Sequence, residues 1–534
     1  MSILSNWRKK KQKKRQHDNY RQELDPQKPE NQVILRNIDE NISRIKGELG
    51  NSSDLVFRDF KLGTLRGTAI YIDGLADNHM ISDFFLESIS DSKVDSNQNL
   101  FEVLMRKTIG LGNIQTITNW NEVFDSFLSG NTLFFLDGYN RAIDVETKGW
   151  EKRAISEPTT QLSIRGPRDS FTETIRTNTA LIRRRIKSPN LWLEPMKIGT
   201  VTQTDIGIMY IKGIANEKIV KEVKERLKRI NIDSVLSSGY IEQLIEDQTW
   251  TNFPTTYHSE RPDIVASQLL EGRIAILVDG SPFVVTIPAL FIQFFQSPDD
   301  YYSRFDISTA IRLLRILSFF IAFIGPSLYI AATTFHQEMI PTTLVIAIAA
   351  QREAVPFPAF VEALIMEVTF EILREAGLRL PRAVGQAVSI VGALVIGQAA
   401  VQAGFVSPVM VIVVSITAIA NFSTPVFAMA ISARLLRFTF MILSSILGFY
   451  GLLLGITFVV IHLCSLRSFG VPYMMPLAPF NLRSQQDVFI RFPIWAMKNR
   501  PKFISKGNLA RTGENQKPGP PSLDQDQTNK GDQG

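Results

Sequence analysis

Four long stretches without a charged residue, all in the second half of this 534-residue chain, constrain its fold more than any other feature. They cover 316–335, 383–403, 409–433 and 438–466. A helix needs about 20 residues to cross roughly 30 Å of hydrocarbon, and each stretch is at least that long. Because buried helices of soluble proteins rarely come in such a series, the sequence predicts a multi-pass α-helical membrane protein with its bundle at 301–467.

A polar region that ends near residue 300 precedes these stretches. We expect residues 1–31, which are basic, to form a disordered tail that binds an anionic membrane surface or stays in solution. No apolar segment follows the basic run, as a secretion signal would require, so the polar region is expected to stay in the cytoplasm. The net charge of +6, from 58 basic and 52 acidic residues, does not suggest nucleic-acid binding.

The polar region contains an internal repeat. Segment 71–76 recurs in similar form at 210–215, and segment 127–132 recurs at 269–274, with offsets of 139 and 142 residues. Two pairs in the same order favour duplication of one unit. Short apolar strands mixed with amphipathic helices predict an α/β (α+β) region made of two related subdomains. The predicted subdomains are 32–164 and 165–300.

Each repeat contains an Asp-Gly pair followed by a second strand-like run. The pairs are Asp137-Gly138 and Asp279-Gly280. Asp-Gly between two strands is typical of a tight hairpin turn with positive φ at glycine. We therefore interpret these aspartates as turn residues and not as catalysts.

A cluster of arginines lies between the repeats, in a Gly-Pro turn and the helix predicted after it. Such a turn before a helix could bind a phosphate or a carboxylate. The arginines could instead pair with acids of the neighbouring subdomain, or form a subunit interface. The candidate interface or anion-binding residues are Arg165, Arg168, Arg176, Arg183, Arg184 and Arg185.

Motifs of known enzyme chemistry are missing from the sequence. It contains no phosphate loop ending in Gly-Lys-Ser or Gly-Lys-Thr, no Gly-x-Ser-x-Gly and no His-Glu-x-x-His. The five histidines are scattered, and Cys464 is the single cysteine. We therefore expect no catalytic residue, no cofactor and no metal site.

The second apolar stretch has two different faces. Small residues such as Gly385, Ser389 and Gly397 recur every fourth position, which favours close helix packing. Glutamines project to nearly the opposite side, where they would line a pore or cavity, or bond a neighbouring helix of the same subunit. The candidate pore or cavity-lining residues are Val391, Val395, Gln398 and Gln402.

Segment 340–380, between the first two stretches, is predicted to be amphipathic or re-entrant. Glu367, Glu371 and Glu375 form an acidic stripe along it. In a ring of subunits this stripe would give rings of carboxylates that attract cations, whereas in a single chain it would be a surface helix. Basic residues at both ends of the bundle, among them Arg312 and Arg315, favour both ends inside and hence four spans, whereas a fifth crossing through 340–380 would place the C-terminus outside. A juxtamembrane segment at 468–512 and a disordered tail at 513–534 complete the predicted organisation.

Five motifs spread along the chain resemble one known family when they are taken together. They are Arg165-Gly166-Pro167-Arg168 with Phe171 and Glu173, the 178–185 stretch, Asp279-Gly280, Pro356-Phe357-Pro358 with Glu362, and Leu380-Pro381-Arg382 leading into Ser389-Ile390-Val391-Gly392. On these residues the chain resembles, from about 55 to 479, the A subunits of the spore-germination GerA family.

The resemblance implies a nutrient receptor in the inner membrane of the dormant spore. In that family the A subunit works with a permease-like B subunit, which is thought to bind the nutrient, and with a lipoprotein C subunit. The A subunit is thought to form a homo-oligomeric, ligand-gated ion channel for cation release. Two alternatives are a non-conducting scaffold or sensor subunit, and a related spore membrane protein that amplifies germination.

Overall fold

A polar α/β half and a helical bundle make up the part of the chain that the computed structural model describes. The described residues are 32–85, 99–149, 157–158, 161, 163–380, 395–501, 503–505, 508–512 and 516–519. The predicted tail 1–31, and most of the predicted tail 513–534, lie outside them.

Nine elements build the first subdomain and nine build the second, in the same order. The first consists of α1 (Ile38–Glu48), β1 (Leu55–Leu62), β2 (Leu65–Ile72), α2 (Asn78–Phe84), α3 (Leu100–Thr108), β3 (Ile114–Ile117), α4 (Trp120–Phe127), β4 (Thr132–Leu136) and β5 (Ala142–Val145). The second consists of α5 (Ile175–Arg185), β6 (Leu191–Ile198), β7 (Thr204–Ile211), α6 (Glu217–Arg229), α7 (Ser238–Ile245), β8 (Tyr257–Ser259), α8 (Pro262–Leu270), β9 (Ile274–Val278) and β10 (Val284–Ile287).

The two five-stranded sheets have the same strand order. It is β1-β2-β4-β5-β3 in the first and β6-β7-β9-β10-β8 in the second, and every pairing is antiparallel. Side chains alternate across each sheet, as strand geometry requires. In β7, for example, Ile206 and Ile208 pack with α6 and α7, whereas Met209 and Ile211 pack with α5 and α8. Each subdomain is thus a helix–sheet–helix sandwich, and the shared topology is what a duplicated unit requires.

The two Asp-Gly pairs occupy equivalent turns. Gly138 and Gly280 have φ of 85° and 82°. The adjacent aspartates also accept from the first backbone amide of a helix, Asp137 from Ile38 at 3.3 Å and Asp279 from Ile175 at 3.0 Å. A carboxylate at a helix start satisfies a free amide and favours the helix dipole. The interpretation of these aspartates as structural turn residues is confirmed.

The C-terminal segment folds back onto the second subdomain. Phe469, Val471, Met475 and Ile504 are buried in the same hydrophobic core as Ile206. The sequence analysis predicted a juxtamembrane segment at 468–512, and the described residues of this segment also complete one face of the second subdomain.

Six further helical elements follow the second subdomain. They are α9 (Asp299–Tyr302), α10 (Phe305–Thr334), α11 (Thr342–Arg352), α12 (Ala359–Arg379), α13 (Pro408–Phe422) and α14 (Phe427–Ser465), and 395–402 is also helical. Among the described residues, α10 and α14 are the two helices long and apolar enough to cross a membrane, and α13 is a shorter apolar helix.

The last helix is a hairpin. Gly448, with φ 59° and ψ −139°, interrupts α14, and the chain reverses there. A Cβ placed on Gly455 would lie 3.0 Å from Cε1 of Phe440, although in a straight helix these residues would be about 22 Å apart. The prediction of one span at 438–466 is therefore wrong. The predicted span 409–433 is also divided, because α13 ends before Pro425, which lies in the turn to α14.

Segment 340–380 is not the surface helix that its acidic stripe suggested. Ala363 and Met366 of α12 are buried with Ile330 of α10 and Met441 of α14. The four-residue period of the glutamates gave no sign of this contact, and the apolar residues Val368 and Ile372 lie exposed on the same helix. The predicted span 383–403 is described from 395 onwards.

Replacing Gly448 with alanine is expected to destabilise the bundle. Positive φ costs a non-glycine residue about 1–3 kcal/mol, and the new Cβ would lie 2.8 Å from Cε1 of His336. We expect a lower melting temperature for the full chain in detergent. The matched control is Gly239→Ala in α7, whose Cβ would meet nothing within 4 Å and which should be neutral or stabilising. Equal melting temperatures for the two variants would contradict the hairpin.

Candidate functional site: an ion-pair cluster at the base of the bundle

The arginines between the repeats join the two subdomains. Arg183 donates from two nitrogens to Asp54 in the first subdomain, and both side chains are 1% exposed. Arg176 lies 3.5 Å from Asp73, also in the first subdomain. Arg185 donates to Asp169 at 2.6 Å, on its own side of the interface. Carboxylates of the same chain therefore occupy these three guanidinium groups.

The other three candidate arginines are more accessible. Arg165 is exposed, Arg168 is exposed and lies 3.4 Å from Glu157, and Arg184 is half-buried. The sequence analysis offered three roles for these arginines: anion binding, pairing with the neighbouring subdomain and a subunit interface. Arg176 and Arg183 pair with the neighbouring subdomain. An anion-binding or subunit-interface role for Arg165, Arg168 and Arg184 stays a prediction.

The acidic stripe of α12 faces arginines within the same chain. Glu367, which is buried, accepts from Arg437, and Glu371 accepts from Arg434 at 2.7 Å. Glu375, which is exposed, pairs with Arg379 one turn further along α12 at 2.7 Å. In the single chain, α14 therefore supplies counter-charges to two of these three carboxylates, and the role of the stripe in a ring of subunits stays a prediction.

The candidate pore residues are exposed where they are described. Val395, Gln398 and Gln402 lie on the helical segment 395–402 with their side chains accessible, whereas Val391 lies outside the described residues. Their role in a pore stays a prediction.

A buried ion-pair cluster lies where the polar half meets α10. Asp300, in α9, is 1% exposed and lies between Arg312 and Arg315 of α10. Arg315 donates to both oxygens of Asp300, at 2.7 and 3.1 Å, and Arg312 donates from Nε at 3.0 Å. Two guanidinium groups thus share one carboxylate in a site almost closed to solvent.

The C-terminal segment supplies the second carboxylate of this ion-pair cluster. Asp487 accepts from Arg312 at 2.8 Å through Oδ1 and from the hydroxyl of Tyr301 at 2.5 Å through Oδ2. Burial, together with the charge of Asp487, raises the pKa of Tyr301 well above its ordinary value, so the phenol keeps its proton and donates it to Asp487. The backbone carbonyls of Asp487 and Val488 also accept from Arg312.

This ion-pair cluster joins three parts of the chain: the end of the second subdomain, the first turns of α10 and the C-terminal segment. Removing one partner of a buried pair leaves a charge without compensation, which costs about 3–5 kcal/mol. The three parts are therefore expected to move together, and a displacement of the polar half will displace α10.

Within the part of the chain that the structure describes, no group of three or more histidine, cysteine, aspartate or glutamate residues could hold a metal ion.

The sequence analysis used Arg312 and Arg315 as indicators of membrane orientation, and it did not find Asp300 or Asp487. Two arginines three residues apart at the start of an apolar helix were the available signal, because they lie on one helix face and require a nearby acid if they are buried. Asp487 is 175 residues from Arg312, and no local pattern joins residues at that separation.

Comparison with known proteins supplies the family. The family model described as "Bacillus/Clostridium GerA spore germination protein" matches residues 43–503. The chain is 58% identical over 491 residues to "Spore germination protein KA" of Bacillus subtilis, covering 91% of this chain and 90% of that protein. It is 45% identical over 490 residues to "Uncharacterized membrane protein YfkQ" of the same organism, covering 91% and 94%. The chain belongs to the GerA family of spore germination proteins, as its motifs suggested.

One solved structure is also similar. It is the crystal structure of the N-terminal domain of the A subunit of the Bacillus megaterium spore germinant receptor GerK3. The identity is 48%, the match covers 49% of this chain and 98% of that chain, and the TM-score is 0.40.

Replacing Asp300 with asparagine tests the ion-pair cluster. The change keeps the shape of the side chain but leaves two buried guanidinium groups without their shared carboxylate, so we expect a loss of about 3–5 kcal/mol in the free energy of unfolding. Denaturant titration of the full chain in detergent, followed by tryptophan fluorescence, measures it.

The matched control is Asp306→Asn. Asp306 lies 3.4 Å from Arg304, and both side chains are more than half exposed, so its loss should leave the free energy of unfolding close to that of the wild type. A similar loss in both variants would show that burial of Asp300 does not matter.

Proposed function

We propose that this chain is a membrane subunit of a nutrient receptor that triggers spore germination, corresponding to the A subunit of such receptors. The family supports germination. The observation that carries the mechanism is the ion-pair cluster of Asp300, Arg312, Arg315 and Asp487, because it joins the polar half to the first turns of α10. In this proposal, a change in the polar half is passed to the bundle through these four side chains.

The proposal places the bundle in the inner spore membrane as a multi-pass unit, with the polar half on the cytoplasmic side. Both arms of the α14 hairpin have their outer ends at the polar half, Ser432 donating to the carbonyl of Asn252 and His462 lying 2.9 Å from Thr251. The ring of Phe449, beside the reversal, lies 4.8 Å from that of His336, just after α10 ends. In this proposal the chain crosses the membrane an even number of times, which returns it to its starting side.

Cation release is the proposed output, through a homo-oligomer whose helix at 395–402 lines the pathway. The exposure of Gln398 and Gln402 in the single chain supports this, because an uncharged amide is favourable towards water and costly towards lipid. A permease-like B subunit and a lipoprotein C subunit are the proposed partners, together with membrane lipid.

A non-conducting scaffold or sensor subunit is the second candidate function. One observation favours it: the carboxylates of Glu367 and Glu371 are paired with Arg437 and Arg434, so these two stripe acids bring little free negative charge to a pathway. In this second proposal the ion-pair cluster passes the change to a partner protein, and ions move elsewhere.

Replacing Gln398 with arginine separates the two functions. Two like charges 4 Å apart repel by about 4 kcal/mol at an effective dielectric constant near 20, so conduction predicts at least a tenfold slower release of monovalent cations from spores exposed to nutrient. Flame photometry of the medium measures the release. Gln115→Arg, at an exposed position of β3, is the control and should release ions normally.

Two measurements keep the comparison interpretable. The amount of each variant in the spore membrane and its co-purification with the partner subunits should match those of the wild type. Normal cation release from assembled Gln398→Arg receptors would overturn the conducting proposal and leave the scaffold.

A further inference from the structure

A cavity beside the ion-pair cluster is not used by the function proposed above. It has a volume of about 220 Å³ and lies between α8, the segment that leads into α9, and the C-terminal segment. A second lobe of about 80 Å³ shares Arg273, Gln296 and Met497 with it. Pockets for drug-sized ligands are about 300–1,000 Å³, so this cavity suits a smaller molecule.

Two buried side chains that line the cavity have a donor nitrogen without a hydrogen bond, although Nε of Arg273 lies 3.6 Å from a carboxylate oxygen of Glu271. Gln293 is 4% exposed and Arg273 is 3% exposed. Among the described residues, the Nε2 of Gln293 and the Nε of Arg273 have no hydrogen-bond partner. Arg273 is held in place because Nη1 donates to the carbonyl of Pro288. Leaving a buried donor without an acceptor is costly, so a ligand with acceptor oxygens would stabilise this site.

The charges around the cavity favour an anion. Glu271 is shared by two guanidinium groups, lying 3.6 Å from Arg273 and 3.7 Å from Arg511. Asp263 does not add free negative charge, since it pairs with Arg261 at 2.7 Å and accepts from Tyr302 at 2.7 Å. Arg273 and Arg511 thus share the single negative charge of Glu271, which leaves one positive charge in excess among the residues that line the cavity. Burial lowers the pKa of Arg273, and an anion beside it would favour its charged form.

We propose that this cavity binds a small organic carboxylate, whose oxygens accept from Nε2 of Gln293 and Nε of Arg273. A carboxylate matches two donors and one excess positive charge, and charge-assisted hydrogen bonds are about twice as strong as neutral ones. A neutral molecule of the same shape would satisfy the donors but not the charge.

The cavity also touches the ion-pair cluster. Tyr301 lines the cavity, and its hydroxyl donates to Asp487, which in turn accepts from Arg312 at the start of α10. A bound carboxylate would thus lie one side chain away from the contact that joins the polar half to the bundle. This consequence rests on the proposed receptor function, whereas binding itself does not.

Binding is tested on the purified full chain in detergent, with acetate and L-lactate as probes and acetamide and lactamide as neutral counterparts. Calorimetric titration should show saturable binding of an acid and at least tenfold weaker binding of its amide. Gln293→Glu places a negative charge beside the ligand, and it should weaken acid binding at least tenfold. Gln115→Glu makes the same chemical change at an exposed position of β3 and should bind as the wild type does.

Gln293→Leu removes the donor without adding charge and should weaken acid binding about fivefold, which is the effect of one lost hydrogen bond. If Gln293→Glu does not fold, the binding measurement on Gln293→Leu tests the proposal in its place. The proposal is overturned if neither acid binds saturably, if the amides bind equally well, or if the folded Gln293 variants bind as the wild type does. Binding without any effect on germination would overturn the receptor coupling and leave the site.

Discussion

The burial of Asp300 is the constraint on which the arrangement of this molecule depends. An ionised carboxylate can be buried in a protein if it is paired and hydrogen-bonded, and Asp300 achieves this with two arginines from one helix. Arg312 in turn needs a second carboxylate, which Asp487 provides from the other end of the chain. Each partner is therefore costly without the others, so the polar half, α10 and the C-terminal segment are held in one arrangement.

The two subdomains share one topology but differ in what they contact. Both subdomains have the same strand order and the same helices on each face. The second has gained two attachments: the C-terminal segment covers its α6–α7 face, and the segment after β10 leads into the ion-pair cluster. The first subdomain connects to it through α5, where Arg183 and Asp54 form a buried pair. A change in the first subdomain can thus reach the bundle through a sequence of close-packed, charge-paired contacts.

The sequence predicted what local patterns encode. The alternation of strands and helices, the Asp-Gly turns and the apolar character of the bundle follow from the period of side chains and from glycine φ, and these expectations agree with the fold. Patterns failed where distant residues decide the outcome. The counter-charges of Glu367 and Glu371 were not predicted, because Arg437 and Arg434 lie 70 and 63 residues further along the chain.

The hairpin in α14 was missed for a different reason. Gly451 and Gly455 pack against the other arm of the same helix, and a glycine spacing of this kind is equally typical of contact with a separate helix. A hydropathy profile measures the length of an apolar stretch, and it does not detect a reversal of the chain at one glycine. The packing of the C-terminal segment on the second subdomain was likewise not predicted, since its buried residues are spaced too irregularly to show a helix or strand period.

Hydrogen–deuterium exchange of the full chain with Asp487→Asn tests the central claim most directly, that this ion-pair cluster makes three parts of the chain move together. Asp205→Asn is the control, because Asp205 forms an exposed pair 3.7 Å from Lys197. The account predicts faster exchange in the first turns of α10 and in Phe291–Phe295 as well as around residue 487, with unchanged exchange in the first sheet. Faster exchange confined to the residues around 487 would contradict it.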